Sequence, residues 1–154
     1  MSHKVKIPNL KELKSRFRAG GCTVTDLDET AFEFAQSDFP VRTHVFVNPC
    51  YVQFSTFIFA KPVGSRTNSE NRIYEFLSNL NLKAKLVKFT LEADRREMKK
   101  GAWPIWISAK LVTGVAGGDY DGAALQNLVE LWFQDLAEID SFRGFKVFYM
   151  MPDE

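Results

Sequence analysis

The sequence has few of the residues that carry common enzyme chemistry. It holds two histidines and two cysteines in 154 residues, and neither cysteine stands in a Cys-x-x-Cys pair. No Gly-rich loop stands between a strand and a helix, where a nucleotide phosphate would bind. We therefore expect no catalytic residues, no metal site and no cofactor, and the sequence favours a protein that is not an enzyme.

The chain also lacks long apolar runs and a strong net charge. No segment is long enough to cross a bilayer, and the first residues lack the apolar stretch of a signal peptide. We therefore expect a cytoplasmic protein that binds no membrane. The formal net charge of +1 predicts no strong attraction to nucleic acid.

Two short patterns could still carry chemistry. Cys50 and His44 could form a nucleophile and its base across a hairpin, but no acid that would orient the histidine is evident nearby. Residues 117–122 (Gly-Gly-Asp-Tyr-Asp-Gly) resemble the beginning of a calcium loop without its later ligands or distal glutamate. We interpret Cys50 and His44 as ordinary sheet residues, and the glycine-rich run as a loop that caps the following helix.

What the sequence does contain is material for a core. Hydrophobic residues make up 45% of the chain, and fourteen of them are phenylalanine. A chain of this length and composition can bury a sizeable core, and disorder is not expected. With no repeat and no linker, the sequence predicts a single domain over residues 1–154.

Three segments have apolar residues at helical spacing. The first helix ends before Gly20 and Gly21, because glycine commonly follows a helix C-terminus. The second is predicted over Asn68–Leu82. The third, Asp121–Ile139, has the strongest helical period in the chain.

Alternating apolar and polar residues predict the strands. The segments with strand character are Cys22–Leu27, Ala31–Gln36, Val41–Val47, Tyr51–Phe59, Lys85–Ala93 and Trp103–Val112. The fold class is therefore α+β: an antiparallel sheet of about five strands packed by three helices, in the order α-β-β-β-α-β-β-α. The apolar tail Phe145–Met151 forms an extra strand or packs at an interface.

One set of apolar side chains does not fit a single buried sheet face. Positions that alternate with the core positions hold Phe46, Phe57, Phe59, Leu86 and Trp106. A solvent-facing sheet side should be mostly polar. Either helices or the tail cover both faces, or this patch is exposed and serves dimerisation or partner binding. The predicted partner-binding residues are Phe46, Tyr51, Phe57, Phe59 and Trp106.

Four segments, which together cover about half of the chain, carry a resemblance to a known family. They are Ile73–Leu82, Lys88–Leu91, Ile105–Leu111 and Ala124–Phe133. In its element order and apolar pattern the chain resembles the type III secretion chaperone-like fold, which includes the YbjN-like proteins. The resemblance implies a small homodimer without enzymatic activity. Such a protein offers sheet and helix surfaces to an extended client segment, or has a regulatory role.

The residues and the resemblance together predict a protein-binding module of a chaperone-like or regulatory kind. Its partner would be a protein or peptide client that contacts the apolar sheet face. The alternative hypothesis is a small apolar ligand, bound in a pocket between the sheet and the final helix. A ligand that is released on denaturation would favour the second hypothesis over the first.

Overall fold

The computed structural model describes residues 4–6, 10–36, 39–48, 51–64, 69–92, 102–112, 119–141 and 144–149. Within these residues lie the helices α1 (Leu10–Ala19), α2 (Ser69–Lys83) and α3 (Gly122–Ala137), with the 3-10 helix Glu138–Ser141 after α3. The strands are β1 (Lys4–Lys6), β2 (Thr23–Asp26), β3 (Ala31–Gln36), β4 (Phe39–Asn48), β5 (Tyr51–Pro62), β6 (Lys88–Leu91), β7 (Trp103–Val112), β8 (Asp119–Asp121) and β9 (Phe145–Phe148).

The strands confirm the predicted fold class. Six of them follow the order β2-β3-β4-β5-β7-β6 in one sheet, and β9 pairs with β5. Strands β1 and β8 form a separate two-stranded antiparallel sheet. The described chain is thus α+β with three helices and an antiparallel sheet, and it has more strands than the five that we predicted. Strands as short as β1 and β8 are missed because three residues are too few to show a period.

The helix boundaries follow the sequence closely. Helix α1 ends at Ala19, and Gly21 beyond it has a φ of 89°, a left-handed conformation that glycine adopts without strain. Helices α2 and α3 each begin one residue after the predicted start. The last turn of the third segment tightens into a 3-10 helix, as helix ends often do.

The glycine-rich run before α3 differs from its prediction. We expected residues 117–122 to form a loop that caps α3, but Asp119–Asp121 is strand β8 and pairs with β1. The pairing joins Lys4 to Asp121, which are far apart in sequence. A local pattern carries no information about such a partner, so the strand could not be predicted.

The chain divides into two compact units. The first comprises Met1–Thr56 and Ala109–Glu130, and the second comprises Phe57–Ser108 and Leu131–Glu154. The boundaries fall inside β5, β7 and α3. The single domain over residues 1–154 remains a prediction.

Four phenylalanines form the core of the first unit. Phe17 of α1 stacks on Phe34 of β3 with ring centroids 4.4 Å apart. Phe32 of β3 and Phe54 of β5 meet Phe17 edge-on, at 5.6 and 6.0 Å. All four rings are buried. Stacked and edge-on aromatic pairs stabilise a core beyond the apolar area they bury, so this cluster fixes α1 against the sheet.

The core of the second unit is built on α2. Its apolar stripe, with Ile73, Phe76 and Leu80, is buried. Phe76 stacks on Phe145 of β9 with ring centroids 4.3 Å apart, and β9 pairs antiparallel with β5. Of the two roles considered for the apolar tail, the extra strand is therefore the one that the structure shows.

Side chains cover the outer edge of β6, the last strand in the sheet order. The Asn81 side chain donates to the Phe89 carbonyl oxygen and accepts from the Phe89 N–H, both at 2.9 Å. Just before β6, the Asp135 carboxylate accepts the backbone N–H groups of Lys85, Leu86 and Val87, each at 2.9 Å. An open edge strand can pair with other chains; Asn81 occupies part of this edge, and Asp135 binds the segment that leads into it.

Candidate partner-binding surface

The aromatic face of the second unit is formed by Phe57, Phe59, Trp106 and Phe148. Along β5, Ile58 and Ala60 are buried, so the alternation sends Phe57 and Phe59 to the opposite side. Phe57 keeps 40% of its surface exposed. Its ring meets the half-buried Trp106 of β7 edge-on, with centroids 4.6 Å apart.

The rest of this face comes from β9. Phe148 lies directly opposite Phe59 in the β5–β9 pairing, and both are half-buried. The Lys146 ammonium lies 5.2 Å from the centre of the Phe148 ring, within the range of a cation–π contact. The aromatic face of the second unit therefore has a positive charge at its border.

The other two predicted residues lie in the first unit. Phe46 of β4 is 38% exposed, and its ring centroid is 6.0 Å from that of Tyr51 at the start of β5. The Lys110 ammonium lies 4.3 Å from the centre of the Tyr51 ring. The structure therefore brings Phe46 together with Tyr51, and Phe57 together with Trp106. That any of these residues binds a partner remains a prediction.

Leu86 departs from its predicted place on the sheet. It precedes β6 in a bend, where its backbone N–H donates to Asp135. The predicted strand began at Lys85, three residues before the observed start of β6 at Lys88, because Asp135 binds the three N–H groups of residues 85–87 and holds this segment out of the strand.

A polar cluster occupies the exposed side of β3 and β4 in the first unit. Nε2 of His44 lies 3.0 Å from Oε2 of Glu33, its cross-strand neighbour, and Arg42 Nε lies 3.9 Å from the other Glu33 oxygen. We expected no acid that could orient His44, and Glu33 shows that this expectation is wrong. Cys50 lies outside the described residues, so its pairing with His44 remains a hypothesis.

The comparisons with known proteins bear on the fold. YbjN, a proposed transcription regulator from E. coli, superposes with a TM-score of 0.56 at 15% sequence identity, over 87% of this chain and 93% of that chain. The chain has the fold of YbjN. An uncharacterized protein from Methanothermobacter thermautotrophicus matches with a TM-score of 0.48 at 12% identity, over 87% of this chain and 98% of that one. No protein-family model and no curated protein sequence matches the chain.

The likeness to YbjN confirms the fold that the sequence resemblance implied. At this level of identity it establishes the architecture and leaves the function open. The chaperone part of that resemblance, and the homodimer that goes with it, are not tested by the likeness to YbjN.

A pocket of about 350 Å³ lies in the first unit, near the start of the chain's final helix. It is lined by Leu13, Arg16, Phe17, Gly20, Cys22, Gln36, Gln126 and Val129. Its volume is at the lower end of the range for small-molecule sites. Burial raises the pKa of the Cys22 thiol, and a hydrogen bond with Gln36 opposes that rise. The thiol is therefore suited to packing against a ligand more than to attacking one.

The described segments contain no candidate metal site and no candidate membrane-spanning helix. None of them brings together three or more histidine, cysteine, aspartate or glutamate side chains that could hold a metal ion. No helix within the same segments is long and apolar enough to cross a membrane.

Three polar residues of the second unit were not singled out from the sequence: Asp135, which binds the segment before β6, and Lys61 and Lys146, which lie opposite each other on β5 and β9. Asp135 interrupts the apolar stripe of α3, and this break in a strong helical period was a usable signal. Lys61 and Lys146 carried no such signal, because the sequence shows each only as a lysine at a solvated position. That they lie opposite each other depends on the pairing of β9 with β5.

Proposed function

We propose that this protein is a protein-binding module with a chaperone-like or regulatory role, without enzymatic activity, that presents an apolar sheet face to a partner segment. The observation that carries the proposal is Phe57, a large aromatic ring on the sheet side opposite the core with 40% of its surface exposed. Its ring already packs edge-on against Trp106, which lowers the conformational freedom that it would lose when a partner covers it.

The likeness to YbjN supports a regulatory role in particular. YbjN is described as a proposed transcription regulator, and the two chains share a fold at low sequence identity. A regulator can act by binding another protein, and the aromatic face offers a surface for that. We further propose that the protein is a homodimer, whose interface uses Phe46 and Tyr51 or the aromatic face itself.

Replacing Phe57 with aspartate is expected to abolish partner binding or self-association and to leave the fold intact. The aspartate removes an aromatic anchor, which in an interface contributes about 2–4 kcal/mol, and puts a charge in its place. The core side of β5 is unchanged, so the chain should still fold. The amount of partner that the tagged chain captures from the native cell measures partner binding. Light scattering of the eluate measures self-association.

Tyr74→Asp is the matched control, because Tyr74 is an aromatic residue of the same unit that is 51% exposed on α2. It should bind like the wild type. Circular dichroism of each variant checks the fold. If Phe57→Asp unfolds the chain, Phe57 is a core residue; if the variant folds and binds normally, the aromatic face is not the binding surface.

A second candidate function is favoured by the pocket of the first unit. It is the binding of a small ligand whose apolar body packs against Leu13, Phe17 and Val129, in a pocket that the polar side chains of Arg16 and Gln126 also line. This is the alternative that the sequence suggested, with α1 as an additional wall. The same protein could carry both functions, since the aromatic face belongs to the other unit.

Filling the pocket tests this second function. We expect the anionic dye 8-anilinonaphthalene-1-sulfonate to bind the native chain and the Val129→Trp variant to lose most of that fluorescence, because the indole occupies the pocket. Phe57→Ala serves as the control for dye that binds the aromatic face instead. Equal dye binding by Val129→Trp and the wild type would exclude the pocket, and native mass spectrometry would show any ligand that co-purifies.

A further inference from the structure

Two lysines of the second unit face each other across the edge of the aromatic face. Lys61 follows Phe57 at an even spacing on β5, so its side chain leaves the sheet on the same side. The register places Lys146 of β9 directly opposite Lys61. Both lysines are exposed.

This arrangement destabilises the sheet, since like charges directly opposite each other on neighbouring strands repel. No acidic side chain in the described segments forms an ion pair with Lys61 or Lys146. Within those segments the Lys146 ammonium contacts the ring of Phe148. Two positive charges are therefore held together beside the half-buried rings of Phe59 and Phe148, and an anionic ligand would relieve their repulsion.

A third lysine lies beyond Trp106. Lys88 of β6 stands opposite Ser108 of β7, and Thr90 stands opposite Trp106, so Lys88 and Trp106 share one side of this strand pair. Glu92 continues the same alternation past the end of β6. Among the described residues of this side it is the one acidic residue against three lysines, so the β5–β9 border carries two positive charges and the β6 border carries one charge of each sign.

We propose that the aromatic face binds an extended, acidic protein segment, whose apolar residues are flanked by aspartate or glutamate. This inference rests on the proposed protein-binding function and names the chemistry of the partner. Apolar side chains of the segment pack on Phe57 and Trp106, and its carboxylates pair with Lys61 and Lys146 at one border and Lys88 at the other.

The strand order sets a minimum length for that segment. From β9 through β5 and β7 to β6 there are three steps between neighbouring strands. Neighbouring strands lie about 4.8 Å apart, so β9 and β6 are about 14 Å apart across the strands, and a segment that reaches both needs at least about five extended residues. Its apolar residues would lie between the acidic ones.

A single-stranded nucleic acid also combines negative charge with flat rings that stack on aromatic side chains. Such ligands carry a charge at every phosphate, and their binding sites are usually strongly basic. This chain has a net charge of +1, and Glu92 would repel a polyanion that crosses the face. A short segment with few carboxylates fits this charge distribution better.

The test uses the full chain and an array of 12-residue peptides in which acidic, basic and apolar content vary independently. Binding should increase with acidic residues on both sides of a phenylalanine or leucine. For the best peptide, tryptophan fluorescence gives the dissociation constant. Trp106 is the half-buried reporter, whereas Trp103 and Trp132 are buried.

Lys61→Glu is expected to weaken the binding of that peptide about tenfold, since the lysine ammonium attracts the carboxylates of the peptide and a glutamate repels them. Lys11→Glu makes the same change of charge at an exposed position of α1 and should leave the dissociation constant within about twofold. Lys61→Glu should also raise the melting temperature by up to about 3 °C, because its carboxylate faces Lys146. A purely structural role for Lys61 would not combine higher stability with weaker binding.

Other outcomes overturn the inference. Peptides with neutral or basic flanks that bind equally well would show that charge is not recognised. If the oligonucleotide dT12 binds more tightly than every peptide, the aromatic face is a nucleic-acid-binding surface. If the chain self-associates and Lys61→Glu abolishes it, a second copy covers the face. If Phe57→Asp no longer binds the cellular partner but Lys61→Glu still does, this inference is refuted and the proposed function is not. If both variants still bind the partner, the proposed function is refuted as well.

Discussion

Asp135→Ala is expected to lower the free energy of unfolding by about 3–5 kcal/mol, which is a large part of the stability of a domain this size. The side chain is 3% exposed, and its two oxygens accept three consecutive backbone N–H groups, from Lys85, Leu86 and Val87. Alanine leaves these three donors without their acceptor. The one at Val87 is buried in the protein, where water cannot replace the carboxylate without rearrangement.

Asp135→Ala should also destabilise strand β6 locally. The segment that Asp135 binds leads directly into this strand, and Asn81 holds the strand itself at Phe89. Urea unfolding followed by circular dichroism measures the stability, and hydrogen exchange of the Phe89 amide measures local opening. Faster exchange at Phe89 than at the sheet interior would show that the edge opens first.

Two variants serve as controls for this prediction. Asp135→Asn keeps one acceptor oxygen and should lose less stability than Asp135→Ala. Gln134→Ala changes the neighbouring exposed residue, whose contact with Lys85 is long at 3.3 Å, and should cost less than about 1 kcal/mol. If Asp135→Ala also costs less than 1 kcal/mol, the three hydrogen bonds do not hold this segment in solution.

Phe34→Ala is expected to destabilise the first unit by about 3–5 kcal/mol, the usual cost of removing a buried phenylalanine. Phe34 is 1% exposed; its ring stacks on Phe17 at 4.4 Å and meets Phe54 edge-on at 5.6 Å. Alanine therefore leaves a cavity between α1 and the sheet. Denaturant unfolding measures the loss.

A double-mutant cycle with Phe17→Ala separates stacking from simple burial. Stacked rings contribute about 0.5–1.5 kcal/mol beyond their area, so the two changes together should cost less than the sum of the single ones by that amount. Phe34→Leu, which keeps most of the volume, should cost clearly less than Phe34→Ala. Phe46→Ala changes an exposed ring and should have a small effect on the stability of the isolated chain.

Local sequence patterns were sufficient for most elements of this fold. Alternation over ten residues identified β7, in which Ile105, Ile107 and Ala109 are buried. Helical spacing identified α3, where Leu128, Trp132 and Leu136 are buried on one stripe. These predictions succeed because burial of one face repeats along the chain with the period of the element.

The candidate surface could be predicted in part. The excess of aromatic residues at positions that alternate with the core identified Phe57 and Phe46, and both are exposed. The sequence did not show that the two lie in different units, nor that Phe148 of the tail adds a ring beside Phe59.

The three helices, the longer strands and most of the apolar face follow from periods that each of these stretches carries within itself. The partners do not. Three contacts show this: Asp135 with the N–H groups of residues 85–87, Glu33 with His44, and Lys61 opposite Lys146. In each, the two sides are far apart in sequence or lie on different strands. Such contacts depend on which strands and helices become neighbours when the chain folds, and a charged or polar side chain has no periodic signal that shows its partner in advance.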